Sequence, residues 1–398
     1  MAAAGLNGVG EYMRATGKTI RTIVAGEEIG AFVPVPLPPR NPSMRMDDGL
    51  TELLRKATEG LSKLALSGDM VPSMEWFIYA FVRKEAVLSS QIEGTQATLV
   101  DLLRYEAESE AGATVSDVWE VCNYLDALSY GREELRRENG LPLSMRLLNE
   151  LHLRLLQGAR GLEKLPGNIR RSQNWIGGSR PGNARFVPPP PSELPELLSD
   201  FERYIHSADE TPPLIRAGWL HVQFETIHPY LDGNGRIGRL LITLLLEYWR
   251  LLPRPLLYLS LFFKQHRNEY YERLAAVRTH GDWEGWTRFF LEAVSTVSEE
   301  ATRSAIELFA LVSRDRDRVL KSDELTITAV KLFEQLPKQP IFTAKKAMDV
   351  LLATRPTVDK AIQILSGIGI LRETTGRKRD RTFAYGEYLD LLKVGTEL

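Results

Sequence analysis

From about residue 50 to residue 312, apolar side chains return every three or four positions, segment after segment, and this regularity confines the fold to packed helices. LTELLRKATEGLSKLAL and MEWFIYAFVRKEAVLSSQIEG both carry the pattern. A further helix is expected from Ser116 to about Leu135, and SMRLLNELHLRLLQG predicts another, with Ser144 as N-cap and Gly158 at its stop. After Pro191 the pattern resumes, with Ser192 as the expected N-cap and Glu193 in the first turn. Helices are expected again over 213–226, 235–250, 267–279 and 283–312, with Trp283 and Trp286 in the core. The predicted class is mainly α. At 398 residues the chain exceeds one ordinary compact unit, so two or three domains are expected.

Three stretches break the pattern. Residues 1–48 read as irregular, ending in the proline-rich FVPVPLPPRNP, which favours an extended segment across a folded body. NWIGGSRPGNARFVPPPP reads as two short β-like pieces around a loop of Gly, Ser, Pro and Asn. The first piece holds Asn174, Trp175, Ile176 and Gly177, and the second Ala184, Arg185, Phe186 and Val187. Near residue 313, SRDRDRVLKSDE is charged and almost free of apolar residues, which reads as a helix end or a linker.

Composition excludes little. Fifty basic residues nearly balance fifty-two acidic ones, so net charge does not point to a polyanionic partner. The single cysteine, Cys122, cannot form an internal disulfide, which suits a reducing compartment. The greasiest region, 240–263, is interrupted by Glu247, Arg250, Pro253 and Arg254 and should not span a bilayer. The opening residues lack the continuous apolar core of a secretory signal. The expectation is a soluble, cytoplasmic protein without a membrane partner.

The chemistry concentrates at 228–241, HPYLDGNGRIGRLL. Gly233, Asn234 and Gly235 can turn successive N–H groups into one concavity that accepts an anion. A helix starting near Gly235 adds unpaired N–H groups and the positive end of its dipole. Arg236 and Arg239 lie three residues apart in its first turns. Cations there oppose the dipole, and a bound anion would account for them. Beside a polyphosphate, Asp232 is a natural Mg²⁺ ligand, and His228, a short loop away, is placed to act as a general base. A phosphate cradle, a metal acid and a base within twelve residues imply transfer of part of a nucleotide.

HPYLDGNGRIGR resembles the Fic-family signature H-x-F/Y-x-D/E-G-N-G-R-x-x-R and fills each of its functional positions, with Tyr230 as the aromatic anchor. The resemblance implies an all-helical core that transfers AMP from Mg·ATP to a protein hydroxyl on Ser, Thr or Tyr, releasing pyrophosphate. His228 would be the base, Asp232 the Mg²⁺ ligand, Gly233, Asn234 and Gly235 the phosphate cradle, and Arg236 and Arg239 the partners of the β- and γ-phosphates. The related Doc branch, which transfers phosphate, has lysine at the position of Gly235. The hairpin at 174–187 matches the family's flap, whose edge holds an extended target segment by strand addition; the alternative is a plain surface hairpin. Tyr270 and Tyr271 in NEYYERL resemble the stretch that borders the adenine pocket, and core packing is the other reading.

SSQIEGT, with Ser89, Glu93 and Gly94, resembles the family's inhibitory motif S/T-x-x-x-E-G/N, carried on a helix N-terminal to the catalytic core. The resemblance implies that Glu93 pairs with Arg239, takes the place of the γ-phosphate and keeps resting activity low. In some relatives this glutamate supports removal of AMP, so de-AMPylation stays open. Residues 325–388 resemble a winged-helix domain, with basic Arg355, Lys360, Arg372, Arg377, Lys378, Arg379 and Arg381 against acidic Asp359, Glu373 and Asp380. DNA binding, with a Fic core that only senses nucleotide, protein binding and dimerisation all remain open for that unit. The expected organisation is an N-terminal arm and inhibitory helical region over 1–110, a catalytic core over 111–312 and a winged-helix-like domain over 313–398. Expected partners are ATP, an unidentified protein target that includes the chain itself, and a second copy of the chain.

Overall fold

A computed structural model describes residues 14–69, 74–108, 116–158, 162–377 and 379–398. The boundary expected at 110 and the wing residue Lys378 lie outside the described residues. The chain is mainly helical, as the periodicity requires.

The N-terminal arm departs from the irregular reading. Strands β1 (Gly17–Val24) and β2 (Glu27–Pro34) pair antiparallel from Gly17↔Pro34 to Val24↔Glu27. The two-residue turn between them is Ala25-Gly26, with φ of 50° and 83°, the left-handed pair that a tight hairpin demands. Beyond Pro34 the proline-rich stretch runs on without helix or strand, as expected, and Gln223 donates to the Val35 carbonyl at 3.0 Å.

Helices α1 (Asp48–Asp69), α2 (Met74–Ile92), α3 (Leu99–Glu108), α4 (Ser116–Arg136) and α5 (Met145–Leu155) follow. Ser144 caps α5 as predicted, its hydroxyl accepting the Leu147 N–H at 3.3 Å. The predicted β-like pieces at 174–187 meet in a single antiparallel bridge, Ile176↔Phe186. After Pro190 the chain makes a 3₁₀ turn over Pro191–Glu193, so α6 (Leu194–Ile205) starts with Glu193 at its N-cap instead of Ser192. Consecutive prolines at 188–191 cannot donate the N–H groups that an earlier helix would use.

Two helices form the centre. α7 (Pro213–Ile227) is buried on almost every side, and α8 (Asn234–Tyr248) packs against it. Gly218 of α7 lets the Phe290 ring approach so closely that a methyl there would lie 2.8 Å from it. α9 (Ser260–Gln265) and α10 (Arg267–His280) lead into α11 (Trp283–Leu320). Trp283 and Trp286 are buried, as predicted, and the Trp286 indole donates to the Gly218 carbonyl at 2.9 Å. α1 lies along α11.

The charged stretch from 313 is no linker up to Leu320: α11 runs through it and totals 38 residues. Leu311, Val312, Asp315 and Val319 are buried under the C-terminal unit. Asp315 accepts the Tyr385 hydroxyl at 2.9 Å, and Arg314 and Arg318 on the same helix surround its other oxygen. The helix survives its charge because that carboxylate is satisfied inside the next unit.

That unit runs α12 (Ile327–Gln335), β3 (Ile341–Thr343), α13 (Ala344–Leu351), α14 (Arg355–Gly367), β4 (Leu371–Glu373), β5 (Thr382–Tyr385) and α15 (Gly386–Leu392), with sheet order β3-β5-β4. Several of its cations have acidic neighbours: Arg355 pairs with Asp359, Lys360 with Glu324 and Arg372 with Asp390. Its last residues return to the helical body, where the Thr396 carbonyl accepts the Gln91 amide of α2 at 2.9 Å.

Asp315→Ala should lower stability by about 2–3 kcal/mol, because the buried Tyr385 hydroxyl loses its acceptor, while Arg314 and Arg318 keep only Glu387 and the Ile368 carbonyl. Denaturant unfolding followed by tryptophan fluorescence checks this, and a loss under about 0.5 kcal/mol would mean that the carboxylate does not hold the helix to the C-terminal unit.

Candidate functional site

His228 ends α7 in the left-handed conformation, φ 49° and ψ 63°, with its N–H on the Phe224 carbonyl at 2.9 Å. The turn points the imidazole out of the helix line, and Nδ1 has no hydrogen-bond partner among the described residues. Burial above all, and then the Arg170 guanidinium, hold its pKa down at about 4. The ring is therefore neutral and able to accept a proton at neutral pH.

The loop from His228 to α8 is held from inside. Tyr230 is fully buried, stacked on His152 with ring centroids 3.8 Å apart, and its hydroxyl donates to Asn149 at 2.8 Å. His152 accepts the Gly167 N–H on Nδ1 at 2.9 Å, so its Nε2 carries the proton and donates to the Asp232 carbonyl at 3.0 Å. The Asn234 side chain bridges the Tyr230 backbone, accepting its N–H at 2.9 Å and donating to its carbonyl at 2.8 Å. Of the residues expected to cradle phosphate, Asn234 thus turns its side chain to the loop, leaving only its N–H for the concavity. Gly233, at φ 76°, supplies the left-handed turn into the helix.

Gly235 shows what lies over the helix start. A methyl group on it would fall 2.2 Å from Glu93 Oε1. The Glu93 carboxylate therefore rests on the first turn of α8, where unpaired N–H groups and the helix dipole favour an anion. Arg239 completes the contact: its Nη2 donates to Glu93 at 2.6 Å and to the Ser89 carbonyl at 2.9 Å, and its Nε donates to the Ser89 hydroxyl at 2.9 Å. Burial disfavours charge on Glu93, but the adjacent Arg239 overrides it, and the carboxyl sits below the usual range. The two sequence features, 146 residues apart, thus meet in one cluster, with Arg239 and Ser89 buried and the Glu93 side chain about a third exposed.

Arg236 is also buried, but its Nη1 donates to Glu120 of α4 at 3.0 Å, and Glu120 accepts the Thr95 hydroxyl as well. Glu120 escaped the sequence reading because nothing marks it among the other charges of α4. Asp232 is the exposed member, 44% accessible, with one oxygen accepting the Gly233 N–H at 2.6 Å and lying 3.9 Å from Arg236. Among the described residues no group of three or more His, Cys, Asp or Glu side chains could hold a metal by itself. No helix there is long and apolar enough to cross a membrane.

The two tyrosines separate. Tyr270 is buried against Phe263, and its hydroxyl meets His221 Nε2 at 2.7 Å, which is core packing. Tyr271 is 42% exposed, beside Arg267, which donates to the Ile92 carbonyl at the end of α2. The hairpin lies against the loop, since Asn174 donates weakly to the Tyr230 and Leu231 carbonyls at 3.5 and 3.4 Å. Its second piece is tied to β2, where the Phe32 N–H reaches the Val187 carbonyl at 2.9 Å and the Phe32 and Phe186 rings pack together. At the hairpin tip, Glu27 accepts from Arg180 at 2.7 Å and from the Gly182 N–H at 3.0 Å.

Asn234→Ala should cost about 2–3 kcal/mol, because the buried N–H of Tyr230 loses its partner and its carbonyl keeps only the weak contact with Asn174. Equilibrium unfolding measures it; stability within about 0.5 kcal/mol of the parent would mean that this bridge does not hold the loop.

Residues 51–133 match the family described as Fic/DOC family N-terminal, and residues 142–246 match the Fic/DOC family. The chain is 31% identical over 183 residues to the protein adenylyltransferase Fic of Aedes aegypti, covering 46% of this chain and 33% of that one. It is 32% identical over 154 residues to the protein of the same name from Drosophila persimilis, covering 38% of this chain and 27% of the relative. The matched part is thus about a third of the length of these curated relatives. Among solved structures, a Fic family protein from Desulfovibrio desulfuricans G20 has the same fold, with a TM-score of 0.55 at 20% identity, over 86% of this chain and 97% of that one. Over its N-terminal helical region and its central helices, the chain therefore carries the two domains of the Fic/DOC family.

Proposed function

We propose that the protein transfers AMP from Mg·ATP to a Ser, Thr or Tyr hydroxyl of a protein, and that Glu93 restrains the reaction. The observation that carries this reading is the Glu93 carboxylate seated on Gly235 and Arg239, an anion already held where a terminal phosphate would bind. The names of the curated relatives support the same reaction class.

His228 takes the proton of the attacking hydroxyl as its oxygen bonds to the α-phosphorus and the bond to pyrophosphate breaks. The imidazole is neutral at neutral pH and needs no prior deprotonation. N–H groups of Asn234 and Gly235 would face the phosphates, joined by that of Gly233 once the Asp232 carboxylate turns from it to a metal, with Arg236 and Arg239 as their cationic partners. Asp232 fits a magnesium ligand: its carboxylate is partly exposed, and this cation commonly takes one or two carboxylates together with phosphate oxygens. Bound there, magnesium would neutralise charge building on the leaving pyrophosphate. An extended target segment would add to the Asn174–Gly177 edge of the hairpin, because β2 already contacts the other piece at Val187.

The restraint is electrostatic competition. Glu93 and the γ-phosphate cannot both take Arg239, so nucleotide bound beside an intact pair is held out of line. Since the Glu93 carboxyl is held below its ordinary pKa, the pair persists above the unfolded value and weakens only as pH falls through the lowered folded value. Neutral and mildly acidic conditions leave it in place.

Glu93→Gly should raise AMP transfer about tenfold or more, and His228→Ala in that background should abolish it. The assay supplies ATP labelled at the α- or the γ-phosphate, with Mg²⁺ and cell lysate, followed by mass spectrometry of the labelled hydroxyl. An unchanged rate in Glu93→Gly would remove the restraint. Label arriving only from the γ-phosphate would replace AMP transfer with phosphotransfer.

A further inference from the structure

Arg170 is 2% exposed, and no carboxylate lies within ion-pair distance of it among the described residues. A buried guanidinium without a counterion is costly unless its donors are met by other acceptors. Here backbone carbonyls meet them. Nε donates to His228 at 2.9 Å, Nη1 to Ser172 at 3.2 Å, and Nη2 to Pro189 and, more weakly, to Ile227 at 3.4 Å. The Arg170 N–H itself reaches the Pro229 carbonyl at 2.9 Å.

The acceptors fall in three places: the entry to the hairpin at Ser172, its exit at Pro189, and the three residues around the left-handed turn at His228. That turn is strained for a residue with a side chain, and such a conformation persists only where its surroundings hold it. The planar, five-donor fork of arginine suits carbonyls on separate segments; a lysine ammonium cannot match that geometry.

We infer that Arg170 is a positioning residue for the reaction at His228, fixing the backbone that carries the imidazole and joining it to both ends of the hairpin that would receive the target. This rests on the AMP-transfer reading of the site. A second effect accompanies the first, because the fixed positive charge opposes protonation of the ring. The other groups acting on the imidazole are Glu93 just past the end of α2, Arg278 from α10 and the Glu225 carbonyl of α7; the Glu225 carboxyl itself is pushed up to about 7 by burial.

The test uses the full chain in the Glu93→Gly background. Arg170→Met should lower kcat about tenfold or more while KM for Mg·ATP stays within about twofold, since Arg170 touches no part of the phosphate cradle. The His228 titration, followed by NMR of the ring C–H and assigned by its absence in His228→Ala, should move upward by about half a pH unit or more. Arg170→Lys should keep that titration near the parent's, because charge is retained, yet still lose kcat because the carbonyls are unmatched. A folded Arg170→Met with parental kcat and parental titration would overturn the inference. Should the Met variant not fold, parental kcat in Arg170→Lys overturns it equally. Absence of AMP transfer in Glu93→Gly itself would count against the proposed function, and the NMR titration would still decide the role of Arg170.

Discussion

A guanidinium buried at the positive end of a helix is the demand around which this molecule is arranged. Arg239 lies one turn into α8, where the dipole repels it and water does not reach it. Unless an anion comes to it, burial of that charge has no compensation. The Ser89 hydroxyl and carbonyl on α2, and Glu93 just past its end, provide it. A nucleotide phosphate could provide it equally well, and the same requirement therefore underlies both the resting state and the chemistry proposed for the site.

The rest of the architecture keeps this cluster in register. α7 and α8 are buried nearly all round, so the loop between them hangs from two rigid ends. The loop is filled from below by Tyr230 and His152 and bridged internally by Asn234. α2 is fixed by contacts beyond the ones with Arg239: Glu85 accepts the Ser260 N–H and hydroxyl, and Gln91 links to Lys264 and to the Thr396 carbonyl. Glu85 and Ser89 stand four residues apart on one face of α2, and Glu93 follows directly after its last residue, so the anchor of the helix and its contact with the site lie within about two turns.

The sequence made much of this legible, for identifiable reasons. The helices declared themselves because each buries one stripe, and the site because His228, Asp232, Arg236 and Arg239 fall within twelve residues. Glu93 was readable only through the resemblance of SSQIEGT to the family's inhibitory motif. The hairpin over Gly17–Pro34 was missed because most of β1 is exposed, which blurs alternation, and because Ala25-Gly26 is a weaker turn signal than Asn-Gly. The continuation of α11 was hidden because its support is long-range: Asp315 needs Tyr385, seventy residues on. Arg170 was invisible for a related reason, since its acceptors are backbone carbonyls and leave no mark in side-chain chemistry. Tyr270 and Tyr271, indistinguishable on paper, were separated only by packing.

The 38 residues of α11 make a rod of about 57 Å. One end lies under α1 and α7, the other under α12 and α15, with no break where the charged residues begin. A rod clasped at both ends transmits rotation without a hinge: a tilt of about 5° at the α7 end sweeps the far end through about 5 Å. The C-terminal unit and the helices around His228 therefore share one mechanical axis, and whatever restrains one end stiffens the other.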